Sequence, residues 1–160
     1  MNFLAHLYLS PSNVEVKLGN FFGDFVKGSK LSSYSSNTQK GIRLHRAIDT
    51  YTDHHKEVKN SVKRLREHFR HYSPVIIDVF YDHFLAKNWS DYSTIPLRTY
   101  LDRFFLLIDQ HKMLIPDKAE QLIYYMKKDD WLYQYQFFDG VHQSLTGISK
   151  RTKFDSKMEF

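Results

Sequence analysis

Val58, Val62, Leu65 and Phe69 recur at intervals of three and four residues, the spacing that stacks side chains along one face of an α-helix. Lys59, Lys63, Arg66 and Arg70 follow one position behind, so the adjacent face is basic. The same period returns along most of the chain, and the alternating apolar–polar pattern of strands is nearly absent. Only six Gly and four Pro interrupt 160 residues. This pattern specifies an all-α fold, and the length suits one domain with a real hydrophobic core. A single compact helical domain is expected over residues 1–153, with a polar tail over 154–160.

Turn and cap residues divide the pattern into elements. A short apolar helix runs from Asn2 to Leu9, and Pro11, Ser12 and Asn13 form a turn and a cap. A second helix is expected from Val14 to Val26, ending before Gly28, then a Ser-rich loop from Ser29 to Ser36. Asn37 is placed to cap the helix carrying His45 and Asp49. The basic helix follows from Lys56 to Tyr72, and Pro74 opens another to about Lys87 that is apolar nearly all round and therefore central. Asp91 to Thr94 reads as a loop. Helices then run from Pro96 to about Lys112 and from Pro116 to about Lys128. Two short ones, Trp131 to Phe138 and Val141 to Ser149, are separated near Gly140.

Composition narrows the function classes. An apolar fraction of 42% and an aromatic fraction of 16% argue against disorder. There is no cysteine, which removes disulfides and thiolate chemistry and fits a reducing compartment. The N-terminus lacks the cationic start and small-residue cleavage site of a signal peptide. No apolar run approaches the roughly 18 residues of a membrane span, so no membrane partner is expected. A formal net charge of +5 points to an acidic partner or to a merely basic surface. No Gly-aromatic RNA-binding signature accompanies it, so nucleic acid is not the expected partner. Walker, dinucleotide-binding, Ser-His-Asp and HExxH motifs are absent.

Two i,i+4 pairs carry the candidate chemistry. His45 and Asp49 lie one turn apart on a single helix face, and Asp78 and Asp82, beside His83, repeat the arrangement on another helix. Val75, Ile76, Ile77, Val79, Phe80, Phe84 and Leu85 surround the second pair. Carboxylates there are costly unless a cation is present, and two on one face repel each other. Either a divalent metal or ion pairs with Arg43, Arg46 or Arg103 would resolve the cost. Imidazole with carboxylate suits Mn²⁺, Fe²⁺ or Zn²⁺. Asp24 sits among aromatics between Gly23 and Phe25, where glycine lets another backbone or a ligand come close. His6 lies in an apolar helix as a core histidine, a ligand or a group supporting one. Asp53 is a further supporting candidate. The stripe Lys59, Lys63, Arg66, Arg70 reads either as a solvated face or as a dock for an acidic helix or a phosphate backbone.

Asn2-Phe3-Leu4-Ala5-His6-Leu7, Gly19-Asn20, Gly23-Asp24-Phe25-Val26-Lys27-Gly28, Gly41-Ile42 with His45-Arg46 and Ile48-Asp49, Thr52-Asp53, and Asp78 with Asp82-His83-Phe84-Leu85 and Trp89 come in an order that resembles the acyl carrier protein phosphodiesterase family. The resemblance covers Met1 to about Lys153. It implies an all-helical, HD-domain-like fold, a cytoplasmic location, and hydrolysis of the phosphodiester that joins 4′-phosphopantetheine to a serine of holo acyl carrier protein. It also implies a divalent cation, usually Mn²⁺, with Mg²⁺ or Fe²⁺ as alternatives. The adjacent His-Asp dyad of HD-domain enzymes is missing; Asp82-His83 has the reverse order, so ligands cannot be transferred by counting. Members of the family tend to continue into another helix beyond this length.

On that resemblance the expected metal ligands are His45, Asp49, Asp78 and Asp82, then Asp24. His83 or His6 is the expected acid, with Asp24 also catalytic. Arg46 and Lys27 are expected to bind phosphate, and Lys59, Lys63, Arg66 and Arg70 to dock the acidic carrier. A phosphohydrolase acting on a nucleotide or another small phosphoester, or a non-enzymatic module binding acidic proteins, accommodates the same residues.

Overall fold

The computed structural model describes residues 2–152 and Met158. Among them every regular element is helical. The α-helices are α1 (Phe3–Tyr8), α2 (Val14–Phe21), α3 (Ser36–His54), α4 (Lys56–Phe69), α5 (Ser73–Lys87), α6 (Trp89–Tyr92), α7 (Leu97–Gln110), α8 (Asp117–Lys128), α9 (Trp131–Gln134) and α10 (Phe138–Ser149). The polar tail expected over 154–160 lies outside the described residues apart from Met158, which is buried in the core.

α5 is central, as its all-round apolar sequence requires. It packs against α1, α4 and α10, and buries Ile76, Ile77, Val79 and Ala86. Phe3, Leu4 and Leu7 of α1 join Leu18 and Phe21 of α2, Leu101 and Phe104 of α7, Met126 of α8 and Leu132 of α9 in one continuous core. No described helix is long and apolar enough to cross a membrane.

The closest helix pairing is α2 on α3, and its glycines explain it. A Cβ on Gly19 would lie 2.4 Å from the Thr38 carbonyl oxygen, and one on Gly41 would lie 2.2 Å from that of Val16. The two backbones therefore touch at a crossing that no side chain could enter. Asn13 caps α2 by accepting from Val16 N, and Ser35, two residues before the expected Asn37, caps α3 by accepting from Thr38 N.

Several boundaries differ from the sequence reading. α2 stops at Phe21 rather than Val26, and a 3₁₀ turn over Gly23–Phe25 follows. The expected Ser-rich loop forms 3₁₀ turns over Gly28–Ser33, and Asp91 falls inside the short α6. Gly140 does not separate α9 from α10. It lies inside α10, where a Cβ would meet the Gln134 carbonyl oxygen at 2.0 Å. Close approach to α9, not a break, accounts for that glycine.

Candidate metal centre

The α2–α3 crossing brings α3 against the carbonyl end of α2. There His45 Nδ1–H donates to the Asn20 carbonyl oxygen at 2.7 Å. Because a carbonyl only accepts, that bond fixes the proton on Nδ1 and turns Nε2 the other way. The Asn20 side chain does the same for His6. Its Nδ2 donates to the His6 carbonyl and to Ser10 Oγ, each at 2.8 Å, so its Oδ1 is the acceptor for His6 Nδ1–H at 3.0 Å. One fully buried asparagine thus orients both imidazoles. The rings stack with centroids 4.0 Å apart and planes 14° from parallel.

Asp49 receives both Nε2 edges. One carboxylate oxygen lies 3.0 Å from His6 Nε2 and the other 3.2 Å from His45 Nε2. Asp24 Oδ1 lies 3.1 Å from His45 Nε2. The 3₁₀ turn after α2 carries Asp24 to this point, and Gly23 makes the turn possible: a Cβ there would fall 2.4 Å from His45 Cγ. His6 and His45 form a buried floor, while Asp24 and Asp49 form a rim about 40% exposed.

The electrostatics follow from this placement. Burial alone would push His45 down, but the carboxylates of Asp24 and Asp49 outweigh it and hold the imidazole up at about 9. Its hydrogen bond keeps Asp24 below the ordinary carboxylate range despite burial. Burial raises Asp49, yet His45 and His6 together bring it well below that range.

His6, His45 and Asp49 each offer a ligand atom, and the three atoms lie within 4.8 Å of one another. Two imidazole nitrogens with their opposite edges already bonded, plus a carboxylate, fit a divalent first-row cation. Asp24 stands beside them to complete the set. Of the expected ligands, then, the structure brings together His45, Asp49 and Asp24. It adds His6, which the sequence reading weighed as a core histidine, a ligand, a group supporting a ligand, or the acid.

Asp82 has partners outside this convergence. It is fully buried, and its two oxygens accept from the backbone N–H groups of Leu4 and Ala5, each at 2.9 Å. Burial raises its carboxyl to about 7, against the pull of those two donors. α1 has no side-chain cap of its own, and Asp82 supplies one from α5. It anchors the helix that carries His6, with each oxygen engaged by a backbone N–H of α1. Asp78, one turn earlier, is half-buried, raised by burial and further by the charges of Asp53 and Asp49. It borders the centre without entering the three-group convergence.

His83 also departs from expectation. Its Nδ1–H donates to the Tyr135 carbonyl at 2.6 Å, and its ring lies 5.3 Å from those of Phe84 and Phe138. Nε2 is buried without a hydrogen-bond partner. None of these contacts reaches Asp24, His45 or Asp49, so nothing places His83 as the acid. Arg46 donates to the Val26 carbonyl at 3.1 Å, beside exposed Lys27, so both cations flank the turn that holds Asp24. Lys59, Lys63, Arg66 and Arg70 are all exposed.

Comparison with known proteins extends the geometry. The family model described as acyl carrier protein phosphodiesterase matches residues 1–160. A protein of that name from Pectobacterium atrosepticum is 37% identical over 152 residues, covering 94% of this chain and 79% of the relative. One from Escherichia coli is 33% identical over 161 residues, covering 98% and 82%. One from Photorhabdus laumondii is 32% identical over 152 residues, covering 94% and 77%. No solved structure matches significantly.

Proposed function

The chain belongs to the acyl carrier protein phosphodiesterase family, and from that membership we propose that it hydrolyses the phosphodiester between 4′-phosphopantetheine and the serine of holo acyl carrier protein. The products are apo carrier and 4′-phosphopantetheine. The reaction takes place at the His6–His45–Asp49 centre. The observation that carries the reading is the convergence of those three ligand atoms within 4.8 Å, at a rim open to solvent.

His6, His45 and Asp49 would hold a divalent cation, with Mn²⁺ the first choice and Asp24 a fourth donor. When bound, such an ion lowers the pKa of water and offsets charge on the phosphoryl oxygens. The chain's own groups do the rest. Asn20 holds both imidazoles with Nε2 inward, so neither ring must reorient to bind. Asp24 and Asp49, held in the ionised form, can accept hydrogen bonds from water and orient it at the rim. Arg46 and Lys27 supply positive charge beside that rim for the non-bridging oxygens. Asp78, whose carboxyl burial raises above its ordinary value, borders the centre and is assigned the delivery of a proton to the serine oxygen as it leaves. The basic face of α4 suits a small acidic carrier, with attraction that steers encounter and weakens as salt rises.

Titration of the apo protein with Mn²⁺, followed by electron paramagnetic resonance and paired with turnover of holo carrier, tests the assignment. Asp49→Asn should weaken binding and abolish turnover. Asp78→Asn should abolish turnover while binding is largely kept. Unchanged Mn²⁺ affinity in Asp49→Asn would refute this ligand set.

A further inference from the structure

A cavity of about 810 Å³ lies between α8, α9 and α10, inside the range of roughly 300–1,000 Å³ usual for small-ligand sites. Phe25 forms one wall. The preceding residue, Asp24, touches His45. The cavity therefore begins one residue from the metal centre, on the same 3₁₀ turn.

Its lining is specific in kind. Leu122, Trp131 and Ile148 give apolar walls, half-buried Gln134 places a neutral amide among them, and exposed Gln121 and Gln143 add two more toward the rim. The charged residues that line it, Lys118, Asp129 and Arg151, are all exposed and sit at the rim. Trp131 Nε1–H donates to Ser144 Oγ, so the indole hydrogen on that wall is already satisfied. Gly147, half-buried in α10, also lines the cavity, and a Cβ built on it meets no atom within 4 Å. The space beside that position is therefore open to a larger side chain.

An uncharged, elongated ligand carrying amides and short aliphatic segments matches this lining. Pantetheine is such a molecule: beyond its phosphate it bears two amides, a hydroxyl, a gem-dimethyl group and a thiol, and no charge. We propose that the cavity between α8, α9 and α10 receives the pantetheine arm of the carrier while the phosphodiester lies at the metal centre beside Asp24. This rests on the holo carrier being the substrate. Apolar walls hold the dimethyl and methylene groups, and the glutamines pair with the arm's amides. Binding energy from this unreacting part then positions the phosphorus.

Calorimetry of the full chain with holo and apo carrier, in chelator so that no turnover occurs, tests it. The wild type should bind holo carrier at least about tenfold more tightly than apo carrier. Gly147→Leu, which fills the cavity from the α10 side, should bring holo affinity down to the apo level and leave apo affinity unchanged. Gln143→Trp does the same from an exposed position, so folding is not at risk. A holo-over-apo preference that survives in either folded variant overturns the proposal. Release of phosphopantetheine by Mn²⁺-loaded wild type is measured in parallel. Its absence overturns the underlying substrate reading and this inference together, whereas release with the preference intact in both variants overturns the inference alone.

Discussion

Gly23→Ala adds one methyl group, and its consequence can be worked from the structure. The new Cβ would sit 2.4 Å from His45 Cγ, 2.6 Å from its Cβ and 2.8 Å from Cδ2. Those atoms are the root of the imidazole and cannot swing aside. The ring is pinned by the bond to the Asn20 carbonyl at 2.7 Å and by the stack on His6 at 4.0 Å. Either the Gly23–Phe25 turn must move, taking Asp24 with it, or His45 must leave Asp49. Overpacking of this kind costs about 1–3 kcal/mol, which at this chain length lowers Tm by about 2–12 °C. Mn²⁺ affinity should fall about ten- to a hundredfold, as it does when a ligand loses its supporting contact. Differential scanning calorimetry of the apo protein and a Mn²⁺ titration read the two effects. Gly28→Ala is the control, since a Cβ there meets nothing within 4 Å. Wild-type Tm and Mn²⁺ affinity in folded Gly23→Ala would show that His45 does not depend on the turn as argued.

Other perturbations test separate parts of the account. His45 is raised from its ordinary 6.5 to about 9, so its ion pairs stabilise the metal-free fold fully below about pH 6.5. That stabilisation is lost as pH rises through 9. With two half-exposed carboxylates as partners the effect is about 2 kcal/mol, visible in a Tm series from pH 6 to 10; a flat profile would contradict it. Because a cation must displace that proton, Mn²⁺ affinity should rise over the same window. Asp82→Ala leaves a buried and a part-buried N–H group of α1 without acceptors and should cost about 2–4 kcal/mol in urea unfolding. It should also weaken Mn²⁺ binding, because α1 carries His6. Lys63→Glu with Arg66→Glu should raise KM for the carrier about tenfold at low salt and flatten its salt dependence, with kcat little changed.

The helical architecture was legible because apolar residues at 3.6-residue spacing leave few other ways to bury them. α4, α5, α7 and α8 lie within a few residues of where periodicity and Pro or cap residues placed them. His45 and Asp49 were legible for the same reason: a helix puts i and i+4 together whatever lies opposite. Asp78 and Asp82 satisfied the same rule, yet helix spacing is silent on what the facing element presents. The N-terminus of α1 meets Asp82 and donates to both its oxygens. His6 and Asn20 became central only through packing. The signal was present in Gly19, Gly23 and Gly41, each of which admits a backbone or a ring where a side chain would clash. Reading them as a contact surface would have pointed to the carbonyl of Asn20 beside His45. The boundary between α9 and α10 was misplaced because Gly140 serves close approach, which local sequence does not distinguish from a break.

Incubation of the purified protein with holo acyl carrier protein and Mn²⁺, read by intact mass, tests the central claim most directly. The account predicts loss of one phosphopantetheine mass from the carrier, abolished by a chelator and by Asp49→Asn. Release that persists in chelator, or no release by folded protein shown to hold Mn²⁺, would contradict it.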